Sequence, residues 1–138
     1  MPEEEIDIVA EAQVKHTESK EKVAKAISNL FRSSGDLRFE QDRVAFVSSE
    51  RNSLSLLKDQ FRDRRIRSAA RRLLLSNQRE LETTLLFNKQ AATVGIAALC
   101  DDPSESPLGP IVLRINSQHL EQVIDWLTLG YDMAADTS

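Results

Sequence analysis

The sequence has one cysteine, four glycines, four prolines, one tryptophan and one tyrosine among 138 residues, and each scarcity excludes something. A lone Cys100 rules out an internal disulfide, which fits a reducing cytoplasm. So few glycines and prolines rule out collagen-like or low-complexity chains. With aromatics at 5%, the basic residues have almost no rings among them, so a stacking platform for single-stranded nucleic acid is not expected. The apolar runs, such as Leu73 to Leu75 and Gly95 to Cys100, fall far short of the roughly 18 to 20 residues that span a bilayer, so no membrane association is expected. Met1 to Ile8 is acidic rather than basic and then apolar, so no secretory signal is expected.

The chemical motifs are equally sparse. His16, His119 and Cys100 do not stand in a metal-ligand spacing, and no glycine-rich phosphate loop is present, so neither metal nor cofactor is expected. Two acids follow Cys100 and would raise its thiol pKa, which argues against a nucleophile. Without a nucleophile motif or a paired acid and base, the chain reads as non-enzymatic.

What the sequence does have is a charge division. The formal net charge is -4, yet Arg51 to Glu80 holds nine bases (Arg51, Lys58, Arg62, Arg64, Arg65, Arg67, Arg71, Arg72, Arg79) against Asp59, Asp63 and Glu80, a local charge of +6. Everything else carries -10. Arginine's planar fork suits two-point contact with phosphate oxygens, so a basic helix face is a candidate nucleic-acid surface. The competing reading pairs these arginines with the protein's own carboxylates, within the chain or across a homodimer, where the acidic stretch from Met1 to Asp7 is a candidate complement.

Periodicity supplies the architecture. Ile6, Ile8, Ala10, Ala12 and Val14 alternate as a half-buried strand does. Val23, Ile27, Leu30 and Phe31 follow at helical spacing behind the hydroxyl caps of Thr17 to Ser19. Leu37 and Phe39, then Val44 and Phe46, predict a hairpin around Gln41-Asp42. Leu54, Leu57 and Phe61 make one helical pattern, and Ile66, Ala69, Ala70, Leu73 and Leu74 another, as one helix or as two with a bend near Asp63. Thr83 to Phe87, Gly95 to Cys100 and Ile111 to Ile115 predict strands, with a polar break at Asn88-Lys89-Gln90 and a rigid turn at Ser106 to Pro110. Leu120, Val123, Ile124 and Leu127 predict a last helix with Ser117 as cap.

The order β-α-β-β-α(α)-β-β-β-α predicts a two-layer α+β domain over residues 1–129, with helices on one face of a mixed, mostly antiparallel sheet and a flexible tail over 130–138. Such a chain buries about 68% of the surface it would expose unfolded, so it needs no disulfide or metal. The candidate RNA-contacting residues are Arg62, Arg64, Arg65, Arg67, Arg71 and Arg72 on the helix face and Asn88, Lys89 and Gln90 at the break, whose amides and amine could hold an anion or read a base edge.

Leu86-Phe87-Asn88-Lys89-Gln90-Ala91-Ala92-Thr93-Val94-Gly95, with Ser106-Pro107-Leu108-Gly109-Pro110-Ile111, resembles archaeal uncharacterised protein family 0201. Thr17-Glu18, Glu21-Lys22-Val23, Arg64-Arg65-Ile66, Ala70-Arg71 and Asp125-Trp126-Leu127 extend the resemblance from about Ile6 to Leu127. Ser68 and His16 depart from the family pattern, where an acidic residue and a proline would be expected. The resemblance implies a fold like that of the large-subunit ribosomal protein five and, by analogy alone, a link to structured RNA.

Overall fold

The computed structural model describes residues 5–32 and 35–129. The expected tail over 130–138 and the acidic residues Met1 to Glu4 lie outside them. Six strands, β1 (Ile6–Gln13), β2 (Asp36–Phe39), β3 (Arg43–Ser48), β4 (Glu82–Phe87), β5 (Leu99–Cys100) and β6 (Ile111–Ser117), form one sheet in the order β2-β3-β1-β6-β4-β5. Every pairing is antiparallel, so the sheet is not mixed as the element order had suggested. Five helices, α1 (Lys20–Ser28), α2 (Ser55–Asp63), α3 (Arg67–Ser76), α4 (Lys89–Thr93) and α5 (Leu120–Leu129), complete the α+β fold.

Alternation decides which face of the sheet is covered. Ile6, Ile8, Ala10 and Ala12 of β1, Leu85 and Phe87 of β4, and Ile111, Leu113 and Ile115 of β6 are buried in one core with the apolar stripes of the helices. Val23 and Ile27 of α1, Leu57 and Phe61 of α2, Leu73 and Leu74 of α3, and Val123, Ile124 and Leu127 of α5 face them. Phe61 stacks on Phe87 at 6.5 Å and Phe31 on Phe46 at 5.0 Å between ring centroids, which fastens the helices to both halves of the sheet. The other sheet face carries half-buried Val9, Val47, Leu86 and Val112 with the charged pairs of Glu11 to Arg43 and Arg114.

Two expected elements differ. Gly95 to Cys100 is a strand only at Leu99–Cys100. The Gln60 side chain donates to the Gly95 carbonyl (2.9 Å) and accepts from the Ala97 amide (2.8 Å), so a helix rather than a neighbouring strand satisfies this backbone. The Asn88 break is the start of a helix: Asn88 is extended and its Oδ1 accepts from the Ala91 amide at 2.8 Å, which is how an N-cap begins α4. Ser117 ends β6, and its hydroxyl accepts from the His119 amide just ahead of α5.

Candidate nucleic-acid interface

α2 and α3 are two helices, and the joint between them falls in the arginine cluster. After Asp63 the chain turns through Arg65 at φ +58, with Ile66 N–H reaching the Phe61 carbonyl (2.9 Å) and Arg65 N–H the Arg62 carbonyl (3.2 Å). These bonds make a Schellman ending, whose left-handed residue is usually glycine. An arginine there costs about 1–2 kcal/mol of steric strain. Ile66 follows the turn packed against the core, with Arg65 exposed at the elbow and Arg67 half-buried beside it.

The arginines divide by what they touch. Arg62 donates to Asp63 (2.9 Å) and lies 3.7 Å from Asp59, contacts that hold its guanidinium protonated and the Asp63 carboxyl below the usual range. Arg64 donates to the Ala97 carbonyl at 2.6 Å and so braces the loop before β5. Arg71 donates to Asp125 (2.8 Å) and Thr128 (3.2 Å), tying α3 to α5 in a half-buried contact. Arg72 meets Asp101 at 3.3 Å with both side chains largely exposed. The side chains of exposed Arg65 and half-buried Arg67 make no hydrogen bond or salt bridge among the described residues, although Arg67 lies near enough to Asp63 to help hold its carboxyl low. α3 begins beside them with no side-chain cap and no acid in its first turn.

Asn88, Lys89 and Gln90 do not join this surface as a group. Asn88 is occupied as the cap of α4, and its amide donates to the Glu105 carbonyl. Lys89 is 2% exposed. Its ammonium donates to the Gln13 carbonyl (2.8 Å), the Leu108 carbonyl (2.6 Å) and the Glu18 carboxylate (3.0 Å), which uses all three N–H groups. That amine is a structural tie between β1, the start of α1 and the Ser106 to Pro110 turn, and no donor is left for RNA. Gln90 lines a 260 Å³ cavity with Thr17, Ser19, Lys22 and Thr93 on the same flank.

The structure adds a group that the sequence left unnoticed. Trp126 on α5 lies under two cations, Arg51 at 5.3 Å and Lys58 at 5.6 Å from its ring centroid, so the basic face does include one aromatic. The only signal was the contact of α2 with α5, which no local pattern announces. Cys100 is buried, and burial together with Glu105 and Asp101 pushes its thiol pKa up. Among the described residues no cluster of three or more His, Cys, Asp or Glu could hold a metal, and no helix is long and apolar enough to cross a membrane.

Residues 7–117 match the family model described as RNA binding. A UPF0201 protein of Sulfurisphaera tokodaii is 39% identical over 125 residues, 88% of this chain and 86% of the relative. One of Sulfolobus acidocaldarius is 39% identical over 124 residues, with the same two shares. Among solved structures, an uncharacterized UPF0201 protein superposes with a TM-score of 0.75 at 27% identity, covering 88% of this chain and 92% of that one. The UPF0201 protein of Methanococcus jannaschii gives 0.73 at 29% identity with the same coverage. A family model over residues 7–117 and relatives 39% identical over 88% of the chain place this chain in the archaeal UPF0201 family.

Proposed function

We propose that the protein is a non-enzymatic, cytoplasmic RNA-binding protein that grips phosphates of structured RNA at the elbow between α2 and α3. The observation that carries this reading is Arg65, an exposed arginine held at φ +58 with no carboxylate partner, where glycine would fit without strain. A stability cost kept at a charged surface position points to a task outside folding. Arg67 and the uncapped amides of α3 supply further donors for the same anion. The exposed pairs of Arg62 and Arg72 are weak and can exchange their carboxylates for phosphates. The family description as RNA binding supports the same partner.

The test is binding to mixed cellular RNA in low and moderate salt. Four neutralised phosphates give a logarithmic salt slope of roughly -3 to -4. Arg65→Glu with Arg67→Glu should weaken binding and lower that slope by about two phosphates' worth, about 1.4 to 1.8. Neither side chain makes a hydrogen bond or salt bridge among the described residues, so the double variant should leave the fold intact. Absence of binding at low salt, or a double variant that binds as wild type does, overturns the reading.

A further inference from the structure

We propose that two copies of this chain join edge to edge through β2, antiparallel about a two-fold axis at Leu37, and extend the sheet across the dimer. β2 is an edge strand, and all four of its residues are exposed, including Leu37 at 39% and Phe39 at 55%. Unguarded apolar edges of this kind recruit another strand.

The hydrogen-bonding pattern says which backbone groups are available. Glu40 N–H donates to the Arg43 carbonyl at 2.8 Å, closing the hairpin around Gln41-Asp42. Bonded and non-bonded pairs alternate along an antiparallel ladder, so Arg38 and Asp36 also bond to β3 through Ala45 and Val47. Leu37 and Phe39 therefore turn their N–H and C=O groups away from β3, toward the open edge. These groups need odd-numbered residues to face each other, which an axis at Asp36, Leu37 or Arg38 allows, but an axis at Asp36 or Arg38 would set that charge against its own copy.

Centring on Leu37 makes every facing pair favourable. Leu37 meets its own copy on the helix side of the sheet. Asp36 faces Arg38 of the second copy on the other side, and symmetry repeats that contact with the roles exchanged. Neither Asp36 nor Arg38 has an ion pair among the described residues, so the monomer leaves both charges for this use. Phe39 faces Gly35 of the second copy. A Cβ on Gly35 would lie 2.5 Å from the Val47 carbonyl and 2.6 Å from the Phe46 ring, so the position admits no side chain of its own. Beside it opens a cavity of 220 Å³ lined by Phe31, Phe46, Leu37 and Gly35, large enough for the incoming phenyl ring. The Phe46 ring already covers Gly35, so the incoming ring is placed in the cavity beside it, against Phe31 and Phe46. Knob, cavity and opposite charges thus lie on one edge in self-complementary order, which favours a second copy over an unrelated extended peptide. This inference is independent of the RNA reading, since the elbow packs over β4, four strands away.

Light scattering on the full chain tests it. Wild type should be a dimer that dissociates on dilution. Asp36→Arg puts two like charges opposite each other twice, and should raise the dissociation constant about tenfold or more. Asp36→Arg with Arg38→Asp restores both pairs and should restore the dimer. Phe39→Ala, at an exposed position that the monomer core does not use, should weaken the dimer by about tenfold or more as well. A monomer at every soluble concentration, a dimer indifferent to Asp36→Arg and Phe39→Ala, or a charge swap that fails to restore association overturns the proposal.

Discussion

Lys89 and Arg65 carry the same charge in opposite settings. Lys89 is shut inside, with three acceptors for its three donors, and joins segments far apart in sequence. Arg65 is exposed on a strained residue, and its side chain makes no hydrogen bond or salt bridge among the described residues. The sequence alone ranks both as candidate RNA contacts. Their surroundings give one a part in holding the fold and the other none that its side chain shows.

Single substitutions at Lys89, Arg65 and Arg72, the first with a rescue at Glu18, probe that difference. The largest effect belongs to Lys89→Met, which keeps most of the volume but strands the Glu18 carboxylate, itself 11% exposed, and the Gln13 and Leu108 carbonyls. Breaking one side of a buried pair costs about 3–5 kcal/mol, readable as a lower denaturant midpoint. Adding Glu18→Gln should recover part of the loss, and no recovery would mean that the carbonyls rather than the charge dominate. Arg65→Gly comes next and goes the other way. Relief of the left-handed strain should stabilise by about 1 kcal/mol or less, after the extra freedom of glycine in the unfolded chain is counted. The same variant should bind RNA more weakly; a variant that gains stability and keeps full affinity would erase the contrast with Lys89. Smallest is Arg72→Ala, whose pair with Asp101 is exposed on both sides. Its cost should stay below about 0.5 kcal/mol and vanish in high salt.

Much of the fold was legible because its signals are local. The alternation of β1, the Ser19 cap and apolar stripe of α1, and the stripe of α5 each lie within one element, and the structure has all three. The elbow was ambiguous for a physical reason: Leu54, Leu57 and Phe61 before it and Ile66, Ala69, Ala70 and Leu73 after it both read as helix, and an arginine at a left-handed residue carries none of the glycine signal that marks a helix end. The loop from Gly95 to Ala98 looked like a strand because it is apolar, whereas its backbone is held by Gln60 of α2, by Arg64 just past it, and by Asn88, Ala91 and Ala92 around α4. Lys89 was misplaced at the surface because its acceptors come from Gln13, Glu18 and Leu108, a convergence that only the fold produces. Trp126 escaped for the same reason.

The far edge of the sheet sets how many copies can assemble. β5 has two residues, and Asp101, Asp102 and Pro103 follow at once, with Asp102 and Glu105 closing a capping box over the turn. A sheet adhesive at both edges would grow without limit into a fibre. With β2 as the proposed joining edge and the other edge too short and too charged to accept a strand, the assembly we propose would count to two and stop.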